Sequence, residues 1–445
     1  MVRQNTIIAD AFLVTFIIVV ILILGLVSAI YLLPFFFILA GLFYILSGKG
    51  DLIVLLFLIM MTTNNIIPQD QFIFGYIGVQ QVLGLLTLIV VTNKNITKTS
   101  SFIRSVNVLL FFMLFYVLYT SVKNLFFNMF DHSLSLTIAR FVNFSFLIYC
   151  IYLAINWKKD IVLRATIASI FFLALTTLIS KTLVMFGYYI SIDVDDFIRY
   201  NGFIGNGDAN TLALVMVLGI GVILNFMLVY KWLIVFILPI ILSLLTLGLT
   251  GSRSGLILLT VTVVIYLFSQ KTVVKIFKSL FTVIVILIIS MFFLQTNIER
   301  FTSSQENQLA MDSGAGNRLG KWVVYLNYFR MNSGAILRGA DKVIEVEWNG
   351  EFMVAHNLYI QIVYNAGIFF LLSYLIFLSK IFLRRKEFNG NILFVMLPFL
   401  IGTFYVSDYG SMFFFIYALV SFTKQLSSGK DTLNIDTSRR YTIAN

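Results

Sequence analysis

The pair His356–Asn357, separated by nine residues from Gly367, is the part of this sequence best suited to proton transfer. The chain has only two histidines, and an unperturbed imidazole titrates at roughly pH 6.5, so it accepts protons near neutrality. A long polar segment ends at this pair and an apolar segment begins. The position predicts a general base at a boundary between water and lipid. An alternative stays open, in which His356 only caps the helix that follows.

Two arginines could hold a negatively charged substrate near this base. Arg253 lies in the stretch Gly251–Ser252–Arg253–Ser254–Gly255, at the end of an apolar segment, and Arg318 lies in the long polar segment. A guanidinium grips a phosphate with two parallel hydrogen bonds, and a charge near a membrane span is often retained for function. The plainer alternatives are an interface anchor for Arg253 and a solvated cation for Arg318. With His356, they suggest chemistry on a lipid-linked anion.

The polar segment of residues 295–356 carries two local signals. Alternating residues before Asn349–Gly350 predict a β-hairpin, because this dipeptide is the strongest short hairpin signal. Asn317 is predicted to cap a short amphipathic helix with four residues on one face. Aromatic rings pack on sugars, so this face suits a sugar phosphate. Its members are Arg318, Trp322, Tyr325 and Phe329.

The elements that must position these residues are membrane helices. The chain of 445 residues is 60% hydrophobic and 11% charged, against roughly 25% charged in soluble proteins. We predict an all-α polytopic membrane protein of about fourteen helices, each near the length that crosses ~30 Å of hydrocarbon. The predicted segments are 10–28, 30–47, 51–67, 71–92, 104–122, 134–156, 163–188, 210–229, 232–249, 253–269, 273–295, 357–380, 391–406 and 410–424.

The distribution of Lys and Arg predicts the orientation. Most of the net charge of +11 lies in loops on one side, which places both termini in the cytoplasm. Residues 1–445 then form a single membrane domain with two external segments, a smaller loop at 191–210 and the large loop at 295–356. This distribution argues against nucleic-acid binding.

Cofactor chemistry has no clear signature in the sequence. The lone Cys150 lies in an apolar run, so a disulfide framework and a cysteine-ligated metal site are excluded. The external acids lack the spacing of a calcium loop, and no phosphate-binding glycine loop is present. We expect no metal and no cofactor, and therefore a donor substrate that is already activated.

Together these residues resemble the O-antigen polymerase and O-antigen ligase superfamily (Wzy and WaaL types) of bacterial polysaccharide export. The resemblance covers about residues 199–380, and Phe370 departs from the superfamily's usual Gly, Thr or Tyr. The similar stretches are His356–Asn357 with Gly367, Gly251–Gly255, Asn317–Arg318 followed by Trp322, Leu337–Arg338–Gly339, and residues 202–210, which end in Gly207–Asp208–Ala209–Asn210.

The resemblance implies a metal-independent, inverting glycosyltransferase of the GT-C type, acting on undecaprenyl-pyrophosphate-linked sugars. Arg253 and Arg318 would bind the donor's pyrophosphate and stabilise it as it leaves, and His356 would be the general base. The implied partners are a lipid-linked glycan donor and acceptor, the lipid bilayer and a chain-length regulator. Further expected substrate-binding residues are Arg199, Asn210, Lys321, Trp322, Tyr325, Arg338, Asn357 and Asp408.

We expect a polymerase of lipid-linked repeat units (O-antigen or capsule) in the bacterial cytoplasmic membrane, with its active face on the periplasmic or extracellular side. A ligase that transfers glycan to lipid A core, and a protein-directed oligosaccharyltransferase, are alternatives within this chemistry. A lipid-linked oligosaccharide flippase is the alternative from another class. Against a flippase, the few charged residues within predicted spans, Arg140, Arg164 and Lys181, lie near span ends.

Overall fold

The structure is a computed structural model that describes residues 4–26, 33–62, 79–92, 145–154, 159–186, 209–230, 234–269, 315–340, 346–348, 351–353, 355–383, 391–405, 415 and 418. This part of the chain is helical apart from one short hairpin. The helices are α1 (Gln4–Leu26), α2 (Leu33–Leu46), α3 (Gly50–Thr62), α4 (Val79–Thr92), α5 (Ser145–Ala154), α6 (Lys159–Met185), α7 (Ala209–Tyr230), α8 (Ile234–Thr250), α9 (Arg253–Phe268), α10 (Ala315–Met331), α11 (Ser333–Arg338), α12 (Leu358–Ala366), α13 (Ile368–Leu383) and α14 (Leu393–Gly402).

Two of these helices have the length and composition to cross a membrane. The apolar stretches are Ile161–Leu183 in α6 and Ala209–Met227 in α7. Most of the other described helices are shorter apolar helices of 10–17 residues. These features are compatible with a polytopic membrane protein, and the number of spans stays a prediction. The predicted segments 104–122 and 273–295, and nearly all of 410–424, lie outside the described residues.

Helix α14 packs against α7 and α9 and runs antiparallel to both. At its start, the backbone N–H of Asn391 donates to Asn225 Oδ1 (3.2 Å), and Asn391 Nδ2 donates to Ser269 Oγ (2.9 Å). Asn225 lies in the second half of α7, and Ser269 follows the last residue of α9. The start of α14 is therefore fixed beside the ends of α7 and α9.

The other end of α14 is packed just as tightly. A side chain at Gly402 would meet Leu214 of α7 at 2.6 Å and Leu258 of α9 at 3.2 Å. Leu214 and Leu258 lie in the first two turns of their helices. The starts of α7 and α9 and the end of α14 thus lie together, and we call this the upper end of the bundle.

The predicted helix at 357–380 is wrong in one respect, because it is two helices. Gly367 has φ +83° and ψ 171°, a conformation that is essentially restricted to glycine. Its N–H bonds to the Val363 carbonyl at 2.8 Å, which closes α12 before α13 begins. The apolar composition hid this break, since both helices are apolar.

In the large loop, one local prediction is confirmed and one is corrected. Strands β1 (Val346–Trp348) and β2 (Glu351–Met353) pair antiparallel, with Trp348 opposite Glu351, so the predicted hairpin forms. The amphipathic helix also forms, as α10. However, it begins at Ala315, so Asn317 lies inside the helix and does not cap it.

A buried ion pair joins α1 to α6. Arg164 Nε and Nη2 donate to the two carboxylate oxygens of Asp10 at 2.8 and 2.7 Å. Both residues are buried. Sequence analysis placed Arg164 near a span end. Asp10 and Arg164 do lie in the second turn of their helices, and the charge of each is neutralised by the other.

Candidate active site

His356 stands in the turn that leads into α12. Its φ of +47° is positive, which is uncommon outside glycine, and no other non-glycine residue in the described part of the chain has this feature. The side chain is half-buried. A backbone held in this sparsely populated region points to a position fixed by its surroundings.

Asn357, and not His356, caps α12. The Asn357 side-chain oxygen accepts hydrogen bonds from the N–H groups of Tyr359 (3.0 Å) and Ile360 (3.2 Å). The N–H of Leu358 donates to the Thr403 carbonyl at 2.8 Å. The first N–H groups of α12 are therefore bonded within the protein, so this helix start does not offer them to an anion. Asn357 is buried, and its oxygen serves the helix.

Arg253 is the first residue of α9, and the residues around it fix the start of that helix. Ser252 is the N-cap, and its hydroxyl accepts a hydrogen bond from the Gly255 N–H at 3.1 Å. Gly251 has φ +58°. A side chain at Gly255 would meet Leu247 at 2.7 Å. In this stretch Gly251 forms the turn, Ser252 caps α9 and Gly255 allows the close contact with α8. Together they fix the backbone around Arg253.

Asn210 ties α7 to this turn. Its side-chain oxygen accepts hydrogen bonds from the hydroxyls of Ser252 (2.9 Å) and Ser254 (3.3 Å). All three residues are buried. The sequence predicted Asn210 as a substrate-binding residue. Its oxygen holds the residues on either side of Arg253, and its role in substrate binding stays a prediction.

Arg318 lies on α10, whose buried face is the predicted one. Lys321 and Tyr325 are 8% and 1% exposed, and Phe329 is also buried. The Tyr325 ring lies edge-on to Tyr364, with centroids 5.0 Å apart. Since Tyr325 is buried in this aromatic cluster, its ring is not open to a sugar. Arg318 lies in the first turn of α10, seven residues before Tyr325.

Trp322 joins α10 to the turn that contains His356. Its indole Nε1–H donates to the Ala355 carbonyl at 3.0 Å. Ala355 directly precedes His356, so the Trp322 side chain joins α10 to the backbone next to the candidate base. The predicted role of Trp322 in sugar stacking is untested, but its N–H is already used inside the protein.

The upper end of the bundle brings three helix starts together. Thr403, next to Gly402, accepts the Leu358 N–H, and the Tyr359 hydroxyl donates to the Leu400 carbonyl at 3.1 Å. The start of α12 therefore meets the end of α14, where α7 and α9 also begin. Asn210, Arg253 and His356 lie at this end, and α10 with Arg318 is attached beside it.

Three predicted residues remain, and the structure describes one of them, Arg338. Arg338 is the last residue of α11, which contacts α12 and α13. The next turn is held by a bond from the Ala340 N–H to the Tyr364 carbonyl at 2.6 Å. Arg199 and Asp408 lie outside the described residues. Among the residues that the structure describes, no group of three His, Cys, Asp or Glu could hold a metal ion.

Three site residues were missed by sequence reasoning. Gln361 and Thr403 bind the turn and the start of α12, and Ser254 shares the Asn210 oxygen with Ser252. The polar character of Gln361, four residues after Asn357 in an apolar segment, was the one available signal for it. The sequence has no comparable signal for Thr403, because its partner Leu358 lies far away in the sequence.

A comparison with protein families gives one match. A family model described as O-antigen ligase matches residues 238–375. A search of curated proteins finds no match. The matched region contains Arg253, Arg318 and His356, but it is less than half of the 445-residue chain. The chain is therefore similar over this region to the O-antigen ligase family, which supports the polymerase and ligase superfamily without separating the two activities.

Proposed function

We propose that this protein polymerises undecaprenyl-pyrophosphate-linked oligosaccharide repeat units by inverting glycosyl transfer. One observation carries the proposal: the start of α9, with Arg253, and the turn before α12, with His356, both lie at the upper end of the bundle, and α10, which carries Arg318, is bonded to the turn of His356. The family match spans all three residues. The turns that carry Arg253 and His356 are each fixed by hydrogen bonds within the protein, as an active site requires.

The proposed reaction needs one base and one stabilised leaving group. The acceptor sugar hydroxyl attacks the anomeric carbon of the donor while its proton passes to the His356 imidazole. The bond from the anomeric carbon to the pyrophosphate oxygen breaks, and its electron pair leaves with the lipid pyrophosphate. A positioned general base contributes about 10²–10⁴-fold in rate.

The two arginines would bind the pyrophosphate. Negative charge grows on its leaving oxygen in the transition state, and fixed cations stabilise it more there than in the bound substrate. Arg253 is well suited to this role, because its turn is held from three directions. Ser252 caps the helix, Asn210 binds both neighbouring serines, and Gly255 packs against α8.

The location of the reaction follows from the predicted topology. We propose that the upper end of the bundle faces the periplasmic or extracellular side of the bacterial cytoplasmic membrane, with both termini in the cytoplasm. Donor and acceptor would both be lipid-linked and would approach along the membrane face. A chain-length regulator is a further proposed partner.

The test uses purified protein with the lipid-pyrophosphate-linked repeat unit as the single substrate. We expect a ladder of lengthened products that is lost in His356→Ala and retained in His132→Ala, the matched change at the other histidine. Transfer only after lipid A core is added would make the protein a ligase. No transfer under either condition, with substrate movement across vesicles, would favour a flippase.

A further inference from the structure

Ala355, the residue that precedes His356, is hydrogen-bonded on both sides by side chains from two different helices. Trp322 of α10 donates its indole N–H to the Ala355 carbonyl at 3.0 Å. The Ala355 N–H donates to the Gln361 side-chain oxygen of α12 at 3.2 Å. Ala355 and Gln361 are buried, so water competes little for these bonds.

The Trp322 bond acts directly on the unusual dihedral. The Ala355 carbonyl belongs to the peptide plane that joins Ala355 to His356, and φ of His356 measures rotation of its Cα against that plane. Fixing the carbonyl direction therefore fixes one side of the φ +47° conformation. A non-glycine residue keeps such a conformation only where its surroundings impose it.

The other side of His356 is fixed by α12. Asn357 caps the helix, and the Leu358 N–H is bonded to the Thr403 carbonyl at 2.8 Å. His356 is thus one residue between two anchored segments. The direction in which its Cα–Cβ bond points is set by these contacts.

We propose that Trp322 and Gln361 are positioning residues that aim the His356 imidazole; the kinetic part of this inference rests on the proposed function. It replaces the predicted role of Trp322 as a sugar-binding ring. It also gives Gln361 a role that its sequence position did not reveal. Neither side chain needs to touch the substrate.

The first experiment reads His356 without any substrate. The chain has two histidines, so histidine labelled with ¹³C in a His132→Gln protein gives a single imidazole signal, from His356. We expect Trp322→Phe and Gln361→Leu to move this signal and its pH titration. Gln361→Glu retains an acceptor for the Ala355 N–H and should move it less.

Matched controls lie on the exposed side of α10. Val323→Ala is next to Trp322, and Asn327→Leu makes the same loss of an amide as Gln361→Leu; both residues are exposed. We expect neither to move the His356 signal. An unchanged signal in Trp322→Phe and Gln361→Leu, or equal changes in the controls, would overturn the proposal.

The second experiment uses the polymerisation assay. A misplacement of about 1 Å can cost on the order of 10²-fold in rate, so we expect kcat to fall about tenfold or more, with KM little changed.

Two results would contradict the kinetic inference: a rise in KM with kcat unchanged, or no change in either constant. A rise in KM would return Trp322 to direct sugar binding. If the wild-type protein makes no product, the proposed function fails, and the imidazole signal still decides the positioning role. Trp322→Phe and Gln361→Leu are judged separately, so poor folding of one leaves the other as the test.

Discussion

Replacing Asn210 by leucine tests whether α7 fixes the turn that carries Arg253. The leucine side chain has a similar size but cannot accept the hydrogen bonds from Ser252 (2.9 Å) and Ser254 (3.3 Å). The two serine hydroxyls lie 2.9 Å apart, so one can still donate to the other. One buried hydroxyl then lacks its acceptor, and we expect the free energy of unfolding to fall by roughly 1–3 kcal/mol.

The same change should reduce activity through Arg253. Ser252 caps α9 and Arg253 follows it, so a less rigid Ser252 leaves the guanidinium less well oriented. We expect kcat/KM for polymerisation to fall about tenfold, which corresponds to about 1.4 kcal/mol of lost transition-state stabilisation. Asn327→Leu is the matched control, because it removes an exposed amide on α10.

The assay is a double-mutant cycle, read by thermal unfolding in detergent and by product formation. It compares Asn210→Leu, the pair Ser252→Ala with Ser254→Ala, and all three changes together. If Asn210 acts through the serines, the combined protein loses clearly less than the sum of the two losses. Additive losses would refute this reasoning and would support direct contact between Asn210 and the substrate.

Three further changes test other parts of the structure. Asp10→Asn removes the carboxylate that pairs with the buried Arg164 guanidinium, and we expect the free energy of unfolding to fall by about 3–5 kcal/mol. The double change Asp10→Leu with Arg164→Met removes both charges and should recover much of this stability. An equal loss in the two proteins would show that the unpaired charge is not the cause. His356→Gly should have a free energy of unfolding roughly 1–2 kcal/mol larger than that of His356→Ala, because glycine adopts φ +47° freely. Both proteins should be inactive. Equal stability would show that this backbone is not strained. Gly367→Ala should cost roughly 1–3 kcal/mol in the same unfolding assay, whereas full tolerance would show that glycine does not set the break between α12 and α13.

Local sequence signals predicted those parts of the fold and the site that depend on neighbouring residues. Asn349–Gly350 predicted the hairpin of β1 and β2, because a two-residue turn needs residues that tolerate positive φ. Helical periodicity predicted the face of α10 that carries Tyr325 and Phe329, and both are buried. Burial of that face follows from spacing alone, since residues seven apart share one side of a helix.

Contacts between distant residues could not be predicted in the same way. Asp10 pairs with Arg164 across 154 positions, and Asn210 with Ser252 across 42. Nothing in a single sequence indicates which polar residue in an apolar helix faces which partner. The internal hydrogen bonds of Asn210 and Trp322 could therefore not be predicted, and the roles of both residues in substrate binding stay predictions. Arg253 and His356 could be singled out because their chemistry, and not their contacts, drew attention to them.

Helix α12 explains how the large loop and the bundle share one site. On one face, Leu358 and Ile362 belong to the core of the bundle. On the other, Val363 and Tyr364 pack with Tyr325 of α10 in a separate cluster. His356 lies just before this shared helix, so the turn that carries the proposed base is held both by the bundle and by α10.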